Sequence, residues 1–316
     1  MKLLSLLVSC ILLTACAAGS PDAPSPTPQP SLPVNITTGQ DGTPALSVYV
    51  TSRDTVTTMD IETYVMGVVA GEMKNDWPME ALKAQAILAR TFVVRFVSEK
   101  ESMYEGADIS TDIAEAQAYN EENINDRIRQ AVEETEGLVL VTASGTLPYT
   151  WFHAHSGGMT ALAREGLGWK DVEPSYTLVT QGLDSDDAPA EAKFWAVDFP
   201  ADVFLAACRK VGADPQSVSD ISISEKGDSG RAVTLMVDGE KVPAAELRIA
   251  LGSTVMRSTL LTELSSDGKT VHMEGRGYGH GVGMPQWGAY ALAQDGLTGE
   301  DIALHYYSGL QIVKMW

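Results

Sequence analysis

The stretch IETYVMGVVAGEM, residues 61–73, decides the character of the chain. It follows Asp60, a good N-cap because its carboxylate can accept the unpaired amide hydrogens of a first helical turn. Residues spaced by four, three and four positions share one helical stripe, and here they are Ile61, Val65, Val68 and Glu72. The pattern therefore predicts a helix that carries Glu72 on its apolar face.

Two glycines in the same stretch predict a close contact. Gly67 and Gly71 lie one turn apart on a neighbouring face of the helix and lower its intrinsic stability. We therefore expect another segment of backbone to approach the helix at these positions.

A carboxyl group on an apolar stripe is suited to acid–base chemistry. Desolvation disfavours its charged form, so its pKa rises and it can hold a proton near neutral pH. The alternatives for Glu72 are a carboxylate at the rim of the core and one paired for structure with Lys83 or Arg90, which lie seven residues apart on the next predicted helix. The pattern by itself leaves these alternatives open.

The remaining segments predict an α+β fold. Helices are expected at 78–97, 126–134, 194–212 and 285–296, and strands at 45–51, 137–141, 219–224, 231–237 and 270–274. Strands and helices do not alternate as repeated βαβ units, so we expect a single body with helices around mixed β-structure and a groove.

The first residues predict export. Lys2 and the apolar run at 3–13 are typical of a signal peptide, since the run is too short to span a bilayer. The sequence Leu-Thr-Ala-Cys at 13–16 resembles a bacterial lipobox, which predicts acylation of Cys16, whereas a plain signal peptide cut nearby is the alternative. The Pro-rich residues that follow predict a tether.

The composition argues against nucleic acid as a partner and against a disulfide in the mature chain. The net charge of −20 opposes binding to the phosphate backbone of nucleic acids. With Cys10 in the signal peptide and Cys16 acylated, Cys208 would be the last free thiol, so no disulfide is expected in the mature chain.

Two further segments could carry chemistry. The first, FHAHSGG at 152–158, places His153 and His155 on one side of an extended chain, but two histidines without a Cys-x-x-Cys or His-Glu-x-x-His motif make a weak zinc signal. The second, GRGYGHGVG at 275–283, lacks the third glycine of a dinucleotide fingerprint, so it fits either a tight connection or a ligand site around His280.

Together these segments resemble the stage II sporulation protein D family, also called SpoIID/LytB. The resemblance covers about residue 46 to the C-terminus and rests on three blocks in order, which are 64–91, 152–160 and 275–289. We therefore divide the chain into a lipoprotein signal peptide at 1–15, a lipidated Cys with a Pro-rich linker at 16–45 and a SpoIID-like catalytic domain at 46–316.

The resemblance implies a peptidoglycan lytic transglycosylase. Its expected substrate is the bond between N-acetylmuramic acid (MurNAc) and N-acetylglucosamine (GlcNAc) in glycan strands stripped of peptide, and its product carries a 1,6-anhydro ring. Glu72 matches the family's catalytic acid/base, no cofactor is needed, and a cell-wall amidase is the expected partner. Six positions match family residues that could bind the sugar or orient Glu72: Lys83, Arg90, His153, Ser156, His280 and Gln286.

Two departures from the family pattern matter. Some sporulation members bind zinc through a Cys directly after the double glycine, where this chain has Met159, so we expect no metal. The family's usual anchor is a transmembrane helix, whereas the lipobox predicts a lipid anchor on the outer face of the bacterial cell membrane. A non-catalytic amidase enhancer that binds peptidoglycan is the alternative function, although the retained Glu72 favours the enzyme.

Overall fold

The computed structural model describes residues 30–32, 36–39 and 42–316. The predicted signal peptide, Cys16 and most of the predicted linker lie outside the described residues, so the expectations for them stay predictions. Among the described helices, none combines the length and the apolar character that crossing a bilayer requires.

Helices and strands are mixed along the chain. The helices are α1 (Ile61–Glu72), α2 (Met79–Glu99), α3 (Asp126–Glu133), α4 (Ala163–Gly166), α5 (Ala190–Lys193), α6 (Ala201–Lys210), α7 (Ala244–Leu251), α8 (Gln286–Gln294) and α9 (Gly299–His305). The strands are β1 (Thr37–Thr38), β2 (Pro44–Val50), β3 (Thr55–Asp60), β4 (Ile109–Ser110), β5 (Leu138–Thr142), β6 (Phe152–His153), β7 (Phe194–Pro200), β8 (Ile221–Lys226), β9 (Ala232–Val237), β10 (Glu240–Pro243), β11 (Leu261–Ser266), β12 (Thr270–Arg276), β13 (Met284–Pro285) and β14 (Leu310–Lys314). The predicted α+β class is confirmed.

The first core forms around α1 and α2. Strand β2 pairs antiparallel with β1 and β3 and parallel with β4, and its alternate residues are buried. The side chain of Asp60 accepts the amide hydrogen of Thr63 at 2.8 Å and so begins α1 as predicted. Helices α8 and α9 pack against α2 and close this core at the C-terminal end of the chain.

The close approach predicted at the two glycines is confirmed. A Cβ at Gly71 would lie 2.7 Å from the main-chain carbon of Ala118, and one at Gly67 would overlap the ring of Tyr119. Residues 118 and 119 therefore lie directly on α1, which brings a backbone amide next to Glu72.

A second core lies between the sheet of β7, β11 and β12, the sheet of β8 to β10, and helices α6 and α7. The prediction of a helix at 194–212 is wrong in its first part, because Phe194–Pro200 forms β7 on the edge of a sheet and pairs with β12. Trp195 and Phe199 are buried in this core, which is a two-residue alternation typical of a strand. The helix begins only at Ala201, after Pro200.

The two cores meet along a seam. The chain leaves the second core at the end of β12, passes through the glycine-rich block and returns to the first core at β13, which pairs in parallel with β6. His155 and Tyr278 exchange main-chain hydrogen bonds across this seam at 3.0 and 2.8 Å. These hydrogen bonds join the second and third sequence blocks. The C-terminal strand β14 completes the first core by pairing with β5.

Candidate active site

Glu72 is the last residue of α1, at the seam. Its Oε1 accepts a hydrogen bond from the main-chain N–H of Ala118 at 2.8 Å. The side-chain amide of Gln286, the first residue of α8, donates to the main-chain oxygen of Glu72 at 3.1 Å. Of the six predicted sugar-binding residues, Gln286 is thus brought directly to Glu72.

Burial sets the ionisation of this carboxyl. Desolvation raises the pKa of Glu72 to about 7, and the N–H of Ala118 and the amide of Gln286 act in the opposite direction by stabilising the ionised form. A carboxyl with a pKa near 7 exchanges its proton readily at neutral pH, which suits a group that must act both as acid and as base.

Two hollows adjoin at Glu72. One, of about 430 Å³, is formed by residues 70–76 together with Asn123. The other, of about 260 Å³, is lined by residues of all three blocks, of the segment at 189–192 and by Arg257: Glu72, Met73, Lys74, Trp77, Ala154, Pro189, Glu191, Ala192, Arg257, Tyr278, Gln286 and Trp287. Since Glu72, Met73 and Lys74 line both, the carboxyl lies between two parts of one groove.

Aromatic side chains build one wall of the second hollow. The rings of Trp77 and Trp287 lie with their centroids 4.6 Å apart, and Tyr290 packs against both at 5.2 Å. The main-chain N–H of Trp287 donates to the oxygen of Ala154 at 3.1 Å, which fixes the second block against α8. This wall is therefore largely apolar, and the carboxyl of Glu72 lies in the same hollow.

His153 and His280 lie close to each other but outside the two hollows. Their ring centroids are 5.6 Å apart, and neither lines the hollows at Glu72. The Nδ1 of His280 accepts the N–H of Val282 at 3.0 Å, and burial lowers the pKa of His280 to about 3 and the pKa of His153 well below its usual value. Both rings are therefore neutral at pH 7 and support the glycine-rich block.

Ser156 holds the turn of the second block. Its hydroxyl donates to the carboxylate of Asp184, and its main-chain N–H is 3.0 Å from the same group. The buried guanidinium of Arg231 binds the main-chain oxygens of Ser156 at 2.6 Å and Met159 at 2.8 Å. Ser156 does not line the hollows at Glu72, and no sequence pattern had marked Asp184 as its partner.

Lys83 and Arg90 lie on α2 and do not line the hollows at Glu72. The Nζ of Lys83 lies 2.8 Å from Glu80 and 2.6 Å from Glu134. Arg90 is 0% exposed, and its guanidinium is bound by Glu62. Burial of Arg90 does not agree with the predicted sugar contact, because a side chain without exposed surface has none to offer a glycan.

One further potential ligand lies beside the histidines of the second block, since the Oδ2 of Asp184 is 3.4 Å from the Nδ1 of His155. The Nδ1 of His155 accepts the N–H of Gly157 at 3.0 Å, and within the described residues the one group of three His, Cys, Asp or Glu side chains with closely spaced ligand atoms is Glu263, His272 and Glu274 on β11 and β12. That group lies on a sheet of the second core rather than in the groove.

The groove also contains residues that the sequence analysis missed. The N–H of Ala118 could not be found from a side-chain pattern, because it is a main-chain group in an irregular segment. Arg257 and Tyr278 lie in or beside glycine-containing loops without periodicity. Their positions depend on the seam, which only the tertiary structure defines.

Comparison with known proteins identifies the family of this chain. The chain belongs to the stage II sporulation protein D family. The family's model, described as stage II sporulation protein, matches residues 49–141, which include Glu72, and a model described as a domain of unknown function matches residues 201–283.

Three relatives illustrate the range of the family. The chain is 32% identical over 260 residues to an uncharacterised protein of Brachyspira hyodysenteriae, covering 82% of this chain and 68% of that one. It is 30% identical over 287 residues to stage II sporulation protein D of Bacillus amyloliquefaciens, covering 85% and 78%. It is 28% identical over 292 residues to the amidase enhancer of Bacillus subtilis, covering 78% of this chain but 40% of that protein.

Proposed function

We propose that this protein is a peptidoglycan lytic transglycosylase with Glu72 as its acid/base. The observation that carries the proposal is the placement of a carboxyl with a pKa raised to about 7 between two hollows of one groove. A glycan strand lying along the groove would present a glycosidic bond to this group, with one sugar on each side. Membership of the stage II sporulation protein D family supports a substrate in the cell wall.

The reaction needs a single carboxyl. Protonated Glu72 donates its proton to the oxygen that links C1 of MurNAc to GlcNAc, and the C1–O bond breaks. Ionised Glu72 then accepts the proton of the MurNAc 6-hydroxyl, whose oxygen bonds to C1 and closes the 1,6-anhydro ring. Glu72 ends the cycle protonated. The N–H of Ala118 holds Oε1 at 2.8 Å, which leaves Oε2 to face the substrate.

The direct test is product analysis. Purified protein is incubated with peptide-free and with intact glycan strands, and the ends are identified by mass spectrometry. The proposal expects 1,6-anhydro-MurNAc ends. Reducing MurNAc ends would indicate hydrolysis, and a lack of new ends on both substrates would contradict an enzyme.

An amidase enhancer is the second candidate. The name of one relative favours it, since the chain is 28% identical to a protein called amidase enhancer. Under this function the protein would bind glycan and stimulate an amidase without cutting the strand. A cell-wall amidase is the proposed partner in both cases, because removal of the peptides would either supply the substrate or be the stimulated step.

The proposed location is outside the cytoplasm, with a lipid anchor at Cys16. Cys16→Ser is expected to abolish incorporation of a labelled fatty acid, because the thiol that would be acylated is lost. The measurement is metabolic labelling followed by fractionation of cells, with Cys208→Ser as the matched control that should stay labelled. Wild-type protein that takes up no label and is freely secreted would contradict the anchor.

A further inference from the structure

A guanidinium that pairs with no carboxylate among the described residues lies in the groove beside Glu72. Arg257 and Glu72 line the same hollow of about 260 Å³. The Nε of Arg257 donates to the main-chain oxygen of Thr254 at 3.3 Å, and its NH1 group donates to that of Glu191. Among the described residues no carboxylate oxygen lies within 4.0 Å of it, and its NH2 group makes no hydrogen bond to them.

Both the main chain and the guanidinium of Arg257 are held by contacts within the protein. The main-chain oxygen of Arg257 accepts the N–H of Gly279 at 2.8 Å and the Nε of Arg248 at 3.1 Å. Its guanidinium carbon lies 5.2 Å from the centroid of the Tyr278 ring, a cation–π distance. The charge of Arg257 is therefore held in place before any ligand arrives.

The surrounding chemistry points to an anionic ligand group. In a chain with 42 acidic and 22 basic residues, a cation in a groove would readily find a carboxylate, yet the contacts of Arg257 are to neutral groups. The planar fork of an arginine matches the two oxygens of a carboxylate. MurNAc differs from GlcNAc by a lactyl ether, which ends in a carboxylate when the peptide has been removed and in a neutral amide when the peptide is present.

We propose that Arg257 recognises the lactyl carboxylate of MurNAc and thereby selects glycan from which the peptide has been removed. This assignment rests on the proposed function. The sugar that presents its C1 oxygen to Glu72 carries the lactyl group on the same ring, so one MurNAc bound in this small hollow contacts both residues. Lys74, the other cation of the hollow, is exposed and less firmly placed.

The test compares two forms of one substrate. Peptide-free glycan is used with its lactyl carboxylates intact, or after they have been coupled to methylamine to give neutral amides. We expect wild-type kcat/KM to favour the carboxylate form by about 10- to 100-fold, the range that a charge-assisted hydrogen bond supplies. Arg257→Gln should lose most of its activity on the carboxylate form and less on the amide form. The ratio of the two kcat/KM values should therefore approach one.

Two further variants sharpen the comparison. Arg257→Lys keeps the charge but not the fork, so its preference should be intermediate. Arg209→Gln removes a half-exposed charge on α6, outside the groove, and should keep the wild-type ratio. Equal loss on both substrates in Arg257→Gln would indicate a structural role and overturn the proposal.

The proposal and the enzyme assignment can fail separately. Wild-type protein that makes anhydro ends equally from both forms would overturn recognition by Arg257 and leave the transglycosylase standing. If neither form is cut, the assignment as a transglycosylase is wrong. Recognition by Arg257 can then still be tested by measuring the affinity of both glycans for Glu72→Gln and for the double variant Glu72→Gln with Arg257→Gln. Equal affinity for the two glycans in that experiment would overturn the role of Arg257.

Discussion

Glu72→Gln is expected to lose at least about a hundredfold of anhydro-end formation while the protein folds normally and still binds glycan. Glutamine keeps the size of the side chain and can accept the N–H of Ala118, but it has no transferable proton. The measurement is the rate of appearance of 1,6-anhydro-MurNAc ends on peptide-free glycan. Wild-type activity should fall as pH rises through about 7, because the acid form of Glu72 is then lost before substrate binds.

An amidase enhancer would behave differently under the same measurements. Glu72→Gln would stimulate a cell-wall amidase as well as the wild type does, and neither protein would produce anhydro ends. Glu99→Gln is a suitable control, because Glu99 is a carboxylate at the end of α2 that pairs with Arg95 and lines neither hollow at Glu72. Retained anhydro-end formation in Glu72→Gln, with folding verified, would remove Glu72 from the mechanism.

Glu72→Gln should raise the stability of the folded protein above neutral pH, although it lowers the activity. Because the pKa of Glu72 is raised from 4.5 to about 7 in the folded protein, folding favours the protonated carboxyl. Its contribution to stability is complete below about pH 4.5 and is lost as pH rises through about 7. Glu72→Gln avoids this loss, so urea unfolding should show it more stable than the wild type at pH 8, by up to about 3 kcal/mol, and closer to it at pH 4.5.

The sequence predicted helix α1 of the first core well because the apolar residues of this helix recur with a helical period. Ile61, Val65 and Val68 are all fully buried, as the stripe predicted, and Glu72 ends the same helix. The close approach at Gly71 also followed from residue type, since glycine in a helix costs stability unless a neighbour needs the space. These predictions used only contacts within one helix and the space beside it.

The site itself was less predictable because it is assembled across the seam. The amide that holds Glu72 belongs to Ala118, 46 residues away and without a side-chain signal. The environment of a cationic residue on a helix face was equally hard to predict. The spacing of residues is the same whether the side chain faces solvent, lines a site or forms a buried ion pair. Arg90 illustrates this, because its partner Glu62 lies 28 residues earlier on a different helix.

Arg90→Met is expected to lower the free energy of unfolding by about 3–5 kcal/mol, the cost of leaving a buried charge without its partner. The Nε of Arg90 lies 2.9 and 3.1 Å from the carboxylate oxygens of Glu62, and Arg90 is 0% exposed. Among the described residues, Glu62 would keep two neutral donors, the N–H of Gly137 and the indole of Trp316, each at 3.1 Å. Methionine fills much of the arginine volume, so the loss reports the ion pair together with the hydrogen bonds that Arg90 donates to the main-chain oxygens of Leu138 and Val132.

The ion pair of Arg53 with Glu121 supplies the matched control. Those side chains are 52% and 39% exposed, so Arg53→Met should cost less than about 1 kcal/mol in the same urea titration. The double variant Arg90→Met with Glu62→Gln should recover part of the loss, because the isolated carboxylate is then neutralised. If Arg90→Met unfolds at the wild-type urea concentration but binds glycan more weakly, Arg90 reaches the substrate in a conformation other than this one, and its sugar-binding role stands instead.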